Sequence, residues 1–212
     1  MLTDLRRPVA ALGAAALALA LVACGSDDGD DAPDEPAAVE TARNGDEFNQ
    51  ADVDFATAMI PHHAQAVQMA NLAVDRPLPD DLRMLVDNVH TTQVAEVETM
   101  VTWLTDWGQE IPETSMDHVN GGHDSHGDME GDLHGDMPGM MSGEEMTALA
   151  EASDEEFPEL WMTMMIEHHE GAIEMAEAEQ EEGHFPDAVD LAGTIITTQR
   201  DEIATMEGLL DD

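Results

Sequence analysis

Apolar residues recur at helical spacing along four long stretches of the chain, and no stretch alternates between apolar and polar residues for long enough to predict a strand. The predicted helices cover approximately residues 44–74, 80–107, 153–182 and 186–210. Asn44 with Glu47, and Ser153 with Glu156, have the spacing of capping boxes at helix starts. Because short turns join the helices of each pair, the pattern predicts an all-α, antiparallel four-helix bundle made of two helical hairpins.

The two predicted hairpins are copies of each other. Residues 52–106 align with residues 158–212 without a gap, and 18 of the 55 aligned positions are identical. The block MIPHHAQAVQMA pairs with MIEHHEGAIEMA, and TTQVAEVETM pairs with TTQRDEIATM. This duplication predicts two repeat arms within one bundle. Pro61 interrupts the first helix and removes one backbone hydrogen bond, so we expect either a kink there or two shorter helices.

Both arms place histidine, methionine and glutamate on predicted buried faces. On a helical wheel, His62 and His63 share one half of the first helix with small alanines, and Glu96 lies on the apolar face of the second. A charge in a core needs a partner, and the chain contains no lysine. Neutral imidazole is the commonest metal ligand in proteins. The predicted metal-site residues are His62, His63, His168, His169, Met59, Met165, Met69, Met175, Glu96 and Glu202.

The sequence leaves the pairing of these histidines open. Adjacent residues on a helix point about 100° apart, so the two histidines of one pair are not expected to bind the same ion. Across the bundle, His62 could face His168, or His63 could face His169. The structural alternative is that each histidine is a core residue hydrogen-bonded to glutamate, with the methionines filling gaps in the helix packing.

A segment rich in histidine, methionine and glycine, residues 112–143, joins the two arms. It has almost no large aliphatic residues, so we do not expect it to form a core. Its candidate ligands are Met116, His118, His123, His126, Met129, His134, Met137, Met140 and Met141. Histidine-rich tracts bind metals, and thioethers add a preference for soft ions, above all Cu(I). The alternative is a flexible acidic linker without a defined site. A short helix, capped by Ser142 with Glu145, is predicted to follow.

The N-terminal residues have the features of a bacterial lipoprotein signal. Two arginines precede an apolar run that is too short for a confident membrane span, and it ends in LVAC at Cys24. We therefore expect export, cleavage before Cys24, and a lipid on that cysteine that anchors the protein on the extracytoplasmic side of the membrane. The predicted organisation is a signal peptide at 1–23, a disordered acidic tether at 24–45, and a bundle domain at 46–212 with repeat arms 52–106 and 158–212.

The charge of the chain limits its partners. It has 48 acidic residues against 6 arginines, which gives a formal net charge of -42. Such a charge repels nucleic acid and anionic lipid, so we do not expect the folded part to bind either, whereas cations are attracted.

These motifs together resemble the family called domain of unknown function 305. The resemblance covers approximately Asp46 to Leu210 and rests on the lipobox, the Met/His/Gly-rich spacer, and the HH and TTQ blocks of both arms. It implies a ferritin-like four-helix fold and an exported protein, with some members associated with copper binding and resistance. Within the repeat blocks, that role would map onto Met59, His62, His63 and Met69, and onto Met165, His168, His169 and Met175.

Three functions are compatible with the sequence. We favour a copper-binding protein that sequesters or buffers the ion without turnover, because no nucleophile–base arrangement is present and no catalytic residue is predicted. A ferritin-like di-metal oxidoreductase needs Glu-x-x-His motifs, but Met59 and Met165 stand three residues before His62 and His168, and thioethers favour copper over iron or manganese. The third possibility is a protein-interaction module that docks a partner on its acidic surface or insert.

Overall fold

The computed structural model describes residues 38–114 and 137–211. Strands β1 (Glu40–Thr41) and β2 (Glu47–Phe48) pair antiparallel in a small hairpin. The helices within the described ranges are α1 (Gln50–Leu72), α2 (Asp80–Trp107), α3 (Gly143–Glu151), α4 (Phe157–Glu182) and α5 (Pro186–Leu210). The predicted all-α bundle of two helical hairpins is therefore confirmed. In the part of the chain that the structure describes, no helix is both long and apolar enough to cross a membrane.

The start of the first helix differs from the prediction. Helix α1 begins after Asn49, whose side chain accepts a hydrogen bond from the backbone N–H of Asp52, while the Asp52 carboxylate accepts one from the backbone N–H of Asn49. The predicted cap, Asn44, instead lies in the turn of the β-hairpin, where it hydrogen-bonds to Asp46. Two Asn-x-x-acid patterns compete in this stretch, and the hairpin uses the first of them.

The other long helices end close to their predicted positions. Helix α2 begins at Asp80 and stops before Gly108, which takes the left-handed conformation (φ 73°) that a glycine adopts without steric cost at a helix end. Helix α5 begins at Pro186, and proline is favoured in the first turn of a helix. Helix α1 is continuous through the buried Pro61, so the alternative of two shorter helices is wrong.

The β-hairpin lies partly within the stretch predicted to be a disordered tether. The Phe48 ring stacks on Trp107 at the end of α2, with ring centroids 4.7 Å apart and planes 6° from parallel. This contact packs the segment before α1 against α2. Regular structure begins before residue 46, since β1 starts at Glu40. Residues 1–37, including the predicted signal peptide and Cys24, lie outside the described residues.

The helices bury two apolar clusters rather than one. Helix α1 packs against α2, α4 packs against α5, and the two hairpins meet mainly along α1 and α4. One cluster contains Met69 and Met165, and the other contains Met59 and Met100. Along each of the four long helices, polar buried residues lie between the parts that enter the two clusters. Met59 in one cluster is the repeat equivalent of Met165 in the other. The pseudo-twofold axis that relates the two arms therefore interchanges the two clusters and lies among the polar residues between them.

Candidate metal site

A layer of buried polar side chains separates the two apolar clusters. Each long helix contributes two of them, and each arm contributes two histidines, one glutamine and one glutamate. The four histidines are 0% exposed, and the other four residues are no more than 8% exposed. This polar layer consists of His62, His63, Gln93, Glu96, His168, His169, Gln199 and Glu202. A polar group buried to this degree is costly unless it has a partner, so its hydrogen bonds show what the layer can do.

Two of the histidines are held by glutamates of their own arm. His63 Nε2 lies 2.7 Å from Glu96 Oε2, and His169 Nε2 lies 2.8 Å from Glu202 Oε2. A carboxylate only accepts, so the imidazole Nε2–H donates in both pairs. The amide of Asn88 donates a further hydrogen bond to Glu202 Oε1 at 3.0 Å. The repeated His–Glu contact thus satisfies the buried carboxylates.

The other two histidines meet each other across the bundle. The rings of His62 and His168 have centroids 3.8 Å apart and planes 40° from parallel. Of the two cross-bundle pairings that the sequence left open, the structure brings these two rings together. His62 Nε2 also lies 3.0 Å from the backbone carbonyl oxygen of Pro138 and donates to it. Rings this close are in van der Waals contact, so an ion could bind at the ring edges but not between the ring faces.

Five of the eight histidine ring nitrogens in this layer have no hydrogen-bond partner among the described residues. The Nδ1 atoms of all four histidines and the Nε2 atom of His168 have no hydrogen bond among the described residues, and Gln93 leaves both amide atoms unpaired. Buried polar atoms are normally paired, so an unpaired set of this size marks a place for water or a ligand. A neutral imidazole keeps a lone pair on one of its two ring nitrogens, so each of the four histidines can offer one nitrogen to a metal ion.

Burial keeps the two central imidazoles neutral. Burial, together with the neighbouring His63, lowers the pKa of His62 to about 3. Burial also lowers the pKa of His168 well below its usual value, with His62 as the next largest cause. Neutral imidazole is the form that binds metals, so both rings are in the binding-competent state at neutral pH.

The two glutamates, predicted as direct ligands, each accept a hydrogen bond from a histidine of the same arm. Metal-binding histidines usually donate their second ring N–H to a carboxylate or carbonyl, which fixes the tautomer and leaves the other nitrogen for the ion. Glu96 and Glu202 stand in that relation to His63 and His169.

The predicted thioether ligands flank the polar layer on both sides. Met59, Met69 and Met165 are fully buried, Met69 and Met165 in one apolar cluster and Met59 in the other, and the partly buried Met175 packs against the latter. Imidazole nitrogens and thioether sulfurs are ligands that soft ions prefer. Among the described residues, no three His, Cys, Asp or Glu side chains converge to hold a metal.

The predicted ligands of the insert are divided by the limits of the described residues. Met137, Met140 and Met141 are described, and Met141 is buried against the bundle rather than free in a linker. The remaining ones lie outside the described residues: Met116, His118, His123, His126, Met129 and His134. Pro138, which contacts His62, is a member of the site that helical periodicity did not indicate, since it belongs to no helix.

Comparisons with known proteins agree with this fold. A family model described as Domain of unknown function (DUF305) matches residues 52–210. No match is found among curated proteins.

Similar solved structures include a DUF305 fragment from Deinococcus radiodurans, which is 29% identical with a TM-score of 0.62 over 84% of this chain and 99% of that one. A DUF305 protein from Streptomyces coelicolor, assigned as secreted, is 28% identical with a TM-score of 0.63 over 76% and 92% of the two chains. CopM in its Cu(II)-bound form is 28% identical with a TM-score of 0.58 over 76% and 95%. CopM is also known in a Cu(I)-bound form.

Proposed function

This chain belongs to the DUF305 family, and from that premise we propose that it is an exported protein that binds copper for sequestration or homeostasis, without turnover. The observation that carries the proposal is the contact between His62 and His168, two buried, neutral imidazoles with unpaired ring nitrogens. A relative of the same fold, CopM, is known with Cu(II) and Cu(I) bound. The thioethers on both sides of the layer favour Cu(I) for this chain.

Within the proposal, the predicted residues take distinct roles. His62 and His168 supply the central nitrogen ligands. His63 and His169, oriented by Glu96 and Glu202, supply further nitrogens when the layer adjusts to an ion. The methionines that complete the set from the two apolar clusters are Met59, Met165, Met69 and Met175.

The insert and the N terminus have supporting roles in the proposal. The histidines and methionines of residues 116–134 collect copper loosely at several sites, because glycine-rich chains of this composition do not fix a coordination geometry. A lipid on Cys24 holds the protein on the extracytoplasmic face of the membrane. The solved relative from Streptomyces coelicolor, assigned as secreted, supports the export step.

The two alternatives from the sequence have less support. A di-metal oxidoreductase needs carboxylates where Met59 and Met165 stand, and the buried glutamates are already paired with His63 and His169. A protein-interaction module has no contact in the described residues that favours it over metal binding.

The test is a competition titration of Cu(I) and Cu(II) on the soluble chain that begins after Cys24. Three proteins are compared: the unaltered chain, a variant with Met116, His118, His123, His126, Met129 and His134 replaced by serine, and the same insert variant with His62→Ala and His168→Ala. The proposal expects the insert variant to keep one tight Cu(I) site and the third protein to lose it. Loss of all tight binding in the insert variant would place the copper site in the insert and refute the site in the bundle.

A further inference from the structure

A short segment that contains a turn lies against the bundle beside the polar layer. This strap, residues 137–141, ends in two reciprocal hydrogen bonds with one side chain of α1. The Gln65 amide donates to the Met141 carbonyl at 2.8 Å, and the Met141 N–H donates to the Gln65 side-chain oxygen at 2.7 Å. Both atoms of the buried amide are therefore used to hold one residue of the strap.

The middle of the strap lies directly on the backbone of α4. Gly139 has φ 72°, a left-handed conformation that favours glycine. Opposite it, Gly171 has no side chain, and a Cβ atom there would collide with the Pro138 carbonyl. Only glycine at 171 allows the two backbones to approach this closely, so the position of the Pro138 carbonyl is fixed by backbone contact.

The two residues that hold the strap are repeat equivalents. Gln65 in the first arm aligns with Gly171 in the second, within blocks that otherwise keep the same histidines and methionines. The duplication is broken where one arm needs a long polar side chain and the other needs none. As a result His62 has a carbonyl acceptor at Nε2, whereas neither ring nitrogen of His168 has a partner among the described residues.

We infer that the strap is a positioning element for His62, and that Gln65 is the positioning residue that holds it in register. A carbonyl oxygen only accepts, so the Pro138 contact fixes the proton of His62 on Nε2 and leaves the lone pair on Nδ1. That is the arrangement in which a backbone carbonyl orients a metal-binding imidazole. The inference rests on the proposed function in one respect, namely that Nδ1 of His62 is the nitrogen offered to copper.

The test reads the His62 tautomer in the metal-free protein by long-range 1H–15N NMR. Loss of the corresponding signals in His62→Ala assigns them. We expect the Nε2–H tautomer in the unaltered chain, and a mixture of tautomers in Gln65→Ala and in Gly171→Ala. Gly208→Ala is the matched control, since it adds a Cβ to a helical glycine that has nothing within 4 Å of that position. An Nδ1–H tautomer in the unaltered chain, or an unchanged tautomer in Gln65→Ala with an intact fold, would overturn the inference.

Copper affinity, measured on the same variants, is the second test of the positioning role. If the strap orients a ligand, Cu(I) affinity falls about 10–100-fold in Gln65→Ala, as for other residues that support a metal ligand, and stays unchanged in Gly208→Ala. A tautomer that shifts in Gln65→Ala while the His62→Ala, His168→Ala double variant still binds Cu(I) tightly would refute the proposed copper site and leave the positioning role intact. Tight binding that needs both histidines, with no tautomer change in Gln65→Ala, would refute the positioning role alone.

Discussion

The imidazole of His62 meets that of its own repeat equivalent, His168, with ring centroids 3.8 Å apart at the centre of the bundle. Residues related by an internal duplication come into contact only near the axis that relates the two arms. The ring contact therefore locates that axis inside the polar layer. A site on the axis draws the same ligand type from each arm, which explains why the paired histidines occur twice in similar frames.

Replacing His62 and His168 together with alanine is expected to abolish tight Cu(I) binding, because both central nitrogen ligands are removed. The measurement is a Cu(I) titration against a competing chelator, with helix content checked by circular dichroism. His90→Ala combined with His184→Ala is the control, since these two residues are at least partly exposed and lie outside the polar layer. The control pair is expected to keep the affinity of the unaltered chain. Equal losses in the two double variants would contradict a site at the axis.

The substitutions Glu96→Gln and Glu202→Gln test whether the two glutamates orient histidines or bind copper directly. The amide of Glu96→Gln still accepts from the His63 Nε2–H but carries no charge, and the same holds for Glu202→Gln with His169. If the carboxylates only orient imidazoles, Cu(I) affinity falls by about 10–100-fold in the double variant. Complete loss of tight binding, with the fold retained, would instead make them direct ligands.

The lowered pKa of His62, about 3, and the low pKa of His168 predict copper binding that persists in mild acid. Protons compete with the metal ion for an imidazole nitrogen only near or below the pKa of that imidazole. With the insert ligands replaced, we expect Cu(I) affinity at the bundle to change little between pH 7 and pH 5. Cu(I) affinity at histidines with an ordinary pKa of about 6.5 would fall over the same pH interval. A fall of tenfold or more in the insert variant would contradict binding by the buried pair.

Glu179, near the end of α4, is a buried acid that lies beside Asp52 at the start of α1. Glu179 is 2% exposed, and its oxygens have no hydrogen-bond donor among the described residues. Beside it, the Asp52 carboxylate accepts from the backbone N–H groups of Asn49, His184 and Phe185. Burial, a hydrogen bond to Asp52 and the charge of Asp52 raise the pKa of Glu179 to about 9. Glu179 therefore holds a proton at neutral pH.

This raised pKa predicts a loss of stability as pH rises. The unfolded glutamate has a pKa of 4.5, so the contribution of Glu179 is complete below that value and is lost as pH rises towards about 9. The slope is at most about 1.4 kcal/mol per pH unit, since one proton is involved. Glu179→Gln keeps a neutral donor, so its urea midpoint is expected to exceed that of the unaltered chain increasingly from pH 5 to pH 8. A constant difference between the two proteins over that interval would show that Glu179 does not titrate with folding.

Glu179→Ala provides the matched comparison for that experiment. The repeat equivalent of Glu179 is Ala73, which is also fully buried, so alanine is the residue that the first arm uses at this place. We expect Glu179→Ala to show the same flattened pH dependence as Glu179→Gln. A pH dependence that survives in both variants would belong to other groups of this highly acidic chain.

Helix boundaries were predictable where one local signal stood alone. Gly108 and Pro186 mark the end of α2 and the start of α5 in sequence and structure alike. The start of α1 was misplaced because Asn44 and Asn49 both precede an acidic residue by three positions, and the choice between them depends on the β-hairpin. That hairpin is stabilised by the contact of Phe48 with Trp107, which is distant in sequence.

The sequence by itself determined the helices, the duplication and the set of buried histidines, because helical spacing and capping depend on neighbours within a few residues. It did not decide which histidine of each pair faces the opposite arm, since helical spacing fixes a side chain relative to its own helix and not the rotation of that helix against another. Only the tertiary structure placed His62 against His168 and paired His63 with Glu96. Packing also brought the Gln65 side chain to the backbone of Met141, 76 residues away. The sequence did not indicate this contact, because a hydrogen bond between a loop and a helix leaves no periodic pattern.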